Sequence, residues 1–106
     1  MDSFSLWIET EAWEGWNPQD ANSDVVVTLS DGTRWAATFF TYANITTLTT
    51  RYKETGECLS GRYFWAADMI LVDELNRQRI GEVVQALLND RSFYRVFRRC
   101  TPAGGA

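Results

Sequence analysis

The chain has 106 residues, 45% hydrophobic and 14% aromatic, which is enough apolar mass for one core and too little length for two. Acids outnumber bases 14 to 10, and a net charge of −4 excludes a general phosphate-backbone binder, which needs clustered positive charge. Histidine is absent, which removes the commonest general base, the commonest zinc ligand and every Ser-His or Cys-His nucleophile pair.

Phe4, Leu6 and Ile8 alternate with Ser5, Trp7, Glu9 and Glu11, a period-two pattern that predicts a first strand. Its second face carries Trp7 and Trp13 around the two glutamates. A polar loop follows from Glu14 to Ser23, rich in Asn, Asp, Gly and Pro. Asp24–Ser30 reads as a second strand, and Asp31-Gly32 as a hairpin turn into a third strand, Thr33–Thr41. A two-residue loop would pair Ser30 with Thr33. A three-residue loop, Ser30-Asp31-Gly32 with Gly32 left-handed, pairs Leu29 with Thr33 instead. The second choice gathers Val25, Val27, Leu29, Trp35, Ala37 and Phe39 on one face, and register follows the burial of one apolar face. Val26, Ala36 and Phe40 then imply that the other face is covered in part.

Beyond Thr41 the period becomes helical. Asn44 is the predicted N-cap, Ile45, Leu48 and Tyr52 recur on one side, and Gly56 stands where a C-terminal cap belongs. Threonines at 46, 47, 49 and 50 oppose this helix by propensity. Leu59-Ser60-Gly61 reads as a turn. Arg62–Val72, aromatic and β-branched, is either one long strand bent at 66–68 or two short ones. Asp73 is the predicted cap of a second helix, with an apolar stripe of Ile80, Val83, Val84, Leu87 and Leu88. Ser92 caps a short last helix with Phe93, Val96 and Phe97 on one side, a strand being the alternative. Residues 101–106 read as a disordered tail. The order β-β-β-α-β-α(-α) predicts a single α+β domain over 1–100: an antiparallel sheet of four or five strands with two or three helices packed on one face.

Charge is polarised along the chain. Residues 1–33 hold seven acids and no base, 34–90 hold seven acids and six bases, and 91–99 add four arginines and no acid. The N-terminal stretch lacks the basic region and apolar length of a signal peptide, and the longest apolar run, 63–72, is interrupted by Asp68 and too short for a membrane span. A cytoplasmic location is therefore the expectation, with Cys58 and Cys100 as inert thiols rather than a disulfide. Cys100 follows Arg98 and Arg99, which would favour a thiolate, but such a neighbourhood near a terminus is more often incidental.

Several patterns admit both a chemical and a plainer reading. Asp20-Ala21-Asn22-Ser23-Asp24, with Asp31 twelfth, resembles the opening of a calcium loop. Val25 at the sixth place and a following strand favour a turn whose Asx side chains hold their own backbone. Glu9 and Glu11 offer a carboxylate pair on one face of the first strand, and Asp68 a carboxylate inside an apolar run. The second of these is expected to be structural, capping a turn or paired with an arginine such as Arg34 or Arg62. No sequence feature calls for a cofactor or a metal. Trp13 and Trp16 lie in or beside the polar loop, where a sheet does not need them, and tryptophan is enriched among interface anchors. The plainer alternative is that one or both fold back over the sheet end.

The stretch Asp24–Thr41, with Asn44-Ile45, Thr55-Gly56-Glu57-Cys58-Leu59 and Gly61-Arg62-Tyr63-Phe64-Trp65-Ala66-Ala67-Asp68-Met69-Ile70, is similar to a small uncharacterised bacterial family. In general style the chain resembles the single-domain immunity proteins that accompany bacterial toxins. The resemblance and the charge together imply a protein-binding domain that takes a basic toxin domain on an acidic surface from residues 9–24. Trp13 or Trp16 would anchor it, and Glu11, Glu14 and Asp20 would steer its approach. Two alternatives stand beside this one: a small carboxylate-dependent enzyme using Glu9/Glu11 or Asp68, and a self-associating structural domain. Neither nucleic acid nor membrane is an expected partner, and the chain is expected to be a monomer or a homodimer.

Overall fold

Three strands in succession, β1 (Phe4–Ile8), β2 (Asn22–Leu29) and β3 (Arg34–Thr41), form an antiparallel meander in the computed structural model, which describes residues 3–100. The tail expected at 101–106 lies outside the described residues. The hairpin has the three-residue loop that the apolar pattern requires: the Leu29 amide donates to the Thr33 carbonyl, and Gly32 is left-handed at φ 86°. Val25 then stands opposite Ala37, and Val27 opposite Trp35.

α1 (Tyr42–Thr55) follows β3 directly. Its cap is Thr41 rather than Asn44: the Thr41 hydroxyl accepts from the Asn44 amide at 3.1 Å and from the Ala21 amide at 3.2 Å. Asn44 is instead buried in the first turn, joined to Asn22 and Asp20 through its own amide group. Gly56 closes the helix in a left-handed conformation, as the sequence predicts. The expected turn at 59–61 is part of α2 (Glu57–Gly61), a single turn in which Cys58, Leu59 and Ser60 are all left-handed, with φ of 50–58°. L-residues rarely adopt that conformation in sequence. Gly61 ends the turn so close to α1 that a Cβ there would lie 2.1 Å from the Thr49 carbonyl oxygen. Cys58 is half-buried within this turn and not a core residue.

Only the last part of 62–72 becomes a strand, β4 (Met69–Val72), which runs parallel to β3. Residues 62–68 do not pair because their anchor, Phe64, packs edge-on against Phe40 and stacks on Tyr52 of α1. A parallel neighbour requires such a helical crossover, so the sheet is antiparallel except at this one pair. α3 (Arg77–Asn89) is capped by Asn76, whose side chain accepts from the Arg79 amide at 2.7 Å. Asp73, the predicted cap, lies upstream and takes the Arg79 guanidinium at 2.9 Å. After α4 (Phe93–Val96), both alternatives for the C-terminal segment are realised in turn: the short helix gives way to β5 (Arg98–Arg99), antiparallel to β3.

The strand order is β1-β2-β3-β4, with β5 also on β3. This is the α+β architecture predicted from the element order. One core results. Val25, Val27, Ala37 and Phe39 meet Ile80 and Val84 of α3 and Phe93 and Phe97 of the last segment, with Val83, Leu87 and Leu88 of the predicted stripe at its margin. Phe93 stacks on Phe97 with ring centroids 4.5 Å apart and meets Trp35 edge-on at 5.7 Å. Among the described residues no helix is long and apolar enough to cross a membrane.

Candidate partner-binding surfaces

β1 stops at Ile8, so Glu9 and Glu11 do not share a strand face as the alternation predicts. Residues Glu9–Ala12 wind into a 3-10 turn that carries Thr10 fully inside. Two side chains take over what a longer ladder would have done. The Ser23 hydroxyl accepts from the Thr10 amide at 3.1 Å, and the Glu9 carboxylate accepts from the Asp24 amide at 3.3 Å. Glu11 faces the other way. Its carboxylate takes the Arg77 guanidinium on two nitrogens, at 2.7 and 2.9 Å, and Arg77 also donates to the Leu6 carbonyl of β1 at 3.1 Å. The hydrogen bond from Arg77 holds the Glu11 carboxyl below its ordinary range.

The loop that carries the other predicted residues is pinned at several points. The Trp16 indole nitrogen donates to the Leu75 carbonyl at 3.3 Å, and the ring packs at the margin of the core. The Leu75 amide in return donates to the Pro18 carbonyl at 2.7 Å. Asp20 accepts from the Thr47 hydroxyl at 2.6 Å and from the Asn44 side chain at 2.9 Å, joining the loop to the first turns of α1. Those hydrogen bonds, from Thr47 and then Asn44, lower the Asp20 carboxyl. A carboxylate at a helix N-terminus also meets a favourable dipole.

The five residues singled out from sequence thus separate by role. Trp16 and Asp20 anchor the loop, and Glu11 ties it to α3. Trp13 and Glu14 remain displayed on the surface, Trp13 with 51% of its area exposed. The calcium-loop spacing does not converge: Asp20 is turned to α1 while Asp24 accepts from the Thr38 hydroxyl at 2.8 Å. Among the described residues no three His, Cys, Asp or Glu side chains gather as a metal set.

A second surface lies on the sheet face opposite the core. β1, β2, β3 and β5 place Trp7, Val26, Ala36 and Arg98 in one row across the sheet, and Asp24, Thr38 and Met69 in the next. A shallow groove of about 410 Å³ opens there, bordered by Trp7, Asp24, Asp68, Arg98 and Cys100. Asp68 is left-handed at φ 52°, its carbonyl accepts from the Thr38 amide at 2.9 Å, and its side chain pairs with Arg98 at 3.1 Å. It is thus paired with an arginine, as expected, but with Arg98 rather than Arg34 or Arg62. Because β4 and β5 abut on the same edge of β3, this ion pair bridges the junction between the two short strands. Both cysteines carry free thiols.

Trp7, 53% exposed, belongs to this face and is not among the candidates read from sequence. The signal for Trp7 was present: it alternates out of register with Phe4, Leu6 and Ile8, on the side shared by Val26 and Ala36. No protein-family model, curated protein or solved structure matches the chain.

Proposed function

We propose that the chain is a non-enzymatic protein-binding domain, in the specific form of an immunity protein that neutralises a basic toxin domain in the cytoplasm. The observation that carries this reading is the exposed Trp13, held beside Glu14 on a loop fixed by Trp16, Pro18 and Asp20. A large aromatic on a rigid loop loses little entropy on association, which is what an interface anchor needs. Glu14 next to it contributes the negative potential that steers a basic partner, while Glu11, Trp16 and Asp20 act as the frame. The resemblance to immunity proteins supplies the toxin as the partner class.

Purification of the tagged protein from its native host, followed by mass spectrometry, tests the reading. A basic protein encoded beside it should accompany the wild-type chain and be lost from Trp13→Ala, with the melting temperature unchanged. Recovery of the isolated chain alone, or of a partner indifferent to Trp13, would overturn it.

A further inference from the structure

The outer face of the sheet sorts its charges along the strand direction. At the hairpin end, in the row Ser5–Thr28–Arg34, the exposed Arg34 has no ion-pair partner among the described residues. Two rows away the exposed Asp24 stands opposite Thr38, with Glu9 bonded to its amide. Between them runs the row Trp7–Val26–Ala36, apolar as far as Arg98 of β5, whose guanidinium is paired with Asp68, and uncovered by any helix. An antiparallel sheet that faces water on one side ordinarily shows polar residues there. Here the centre is apolar from Trp7 to Ala36, and among the described residues the charges outside any ion pair lie at opposite ends by sign.

We infer that this face is the docking surface for a second copy of the chain, packed sheet against sheet. The two-fold axis lies in the face and runs across the strands along the Trp7–Val26–Ala36 row. That rotation reverses the strand direction of the second copy, so each Arg34 comes over the other copy's Asp24–Thr38 row, twice by symmetry. Trp7 meets its own counterpart at the axis, as do Val26 and Ala36. Charge complementarity selects the occupant: a patch that carries its own complement at its other end is matched by itself, whereas a partner of one net sign would be repelled at one end. Arg98 ends the same row at the β5 border and also faces its own counterpart, its charge offset by the pairing with Asp68. The apolar centre is one row of three residues, so the dimer is weak and concentration-dependent. It is independent of the toxin-binding reading, since Trp13 and Glu14 do not border the groove.

Sedimentation equilibrium on the full chain, from roughly 10 μM to 1 mM, reads the association directly. Monomer and dimer should be in exchange, with nothing larger. Asp24→Arg and Arg34→Asp should each weaken the dimer at least about tenfold by placing like charges together, and the double variant should recover most of the loss. Trp7→Ser should weaken it as well, through the apolar centre. Melting curves on dilute protein control for folding, and if one charge variant unfolds, Trp7→Ser and the double variant still decide. A monomer throughout would overturn the inference. So would a dimer indifferent to Trp7 and to both reversals, a double variant no better than the singles, or open-ended growth.

Discussion

The two faces of the sheet are written by the same strands, residue by alternate residue, and they end in different states. Val25, Val27 and Phe39 are fully buried, whereas their neighbours Val26 and Ala36 are only partly so. Apolar content does not explain the contrast, because valine and alanine stand on both sides. Helix supply does. The stripe of α3 and the Phe93–Phe97 pair close one face, and the crossover after α1 delivers a single aromatic, Phe64, to Phe40 at one end of the other. A short chain has enough helix to cover a sheet once, and the alternate residues are left to association or to solvent.

The sharpest way to break this contrast is to delete one large side chain from the inner face. Phe39→Ala should lower unfolding free energy by about 3–5 kcal/mol, read from urea titrations. Gly61→Ala attacks the link by which the outer face gains its one cover. A methyl group against the Thr49 carbonyl must displace α2 from α1, and the loss should be about 1–3 kcal/mol in the same titration. Thr10→Val changes the sign. The Thr10 hydroxyl is buried without a hydrogen-bond partner, so an apolar replacement of equal shape should raise stability by about 1 kcal/mol. Smaller effects come from the surface carboxylates. The Glu11, Asp20 and Asp73 carboxyls are all lowered in the folded chain, so what they contribute is present above the ordinary carboxylate range near pH 4. It fades as pH falls through their lowered values, and Asp20→Asn should flatten that acid limb when urea midpoints are followed against pH. Val26→Thr on the outer face should change dilute stability by less than about 0.5 kcal/mol; a loss near that of Phe39→Ala would show that the face is covered in the monomer.

Much of this fold was legible because alternation and turn chemistry act locally. Val25, Val27, Trp35, Ala37 and Phe39 fix the hairpin register, and the stripe of α3 stands out at its own spacing. The failures share one cause: a side chain from elsewhere takes a place that local pattern assigns to the backbone or to a nearer residue. Glu9 and Ser23 satisfy amides that would have extended β1, so the strand ends before its alternation does. Thr41 reaches the α1 cap ahead of Asn44, whose amide group is engaged by Asn22 and Asp20. Asp68 finds Arg98, thirty residues away, because β4 and β5 meet on one edge. Trp16 and Asp20 stood out in sequence for good reason, as polar-loop residues of unusual type, yet type alone does not separate an anchor from a displayed group. The anchor is defined by Leu75, Asn44 and Thr47, which lie far along the chain.

Arg77 has one more consequence. By donating to the Leu6 carbonyl it occupies an outward backbone acceptor of β1, the long free edge of the sheet. The opposite edge is divided between strands of four and two residues, too short to template another. Strand addition from a neighbouring molecule is thereby discouraged on both sides. A second copy packed face-on, as inferred above, would use up that face in a single pairing about the two-fold axis, and so offers no direct route to fibre growth.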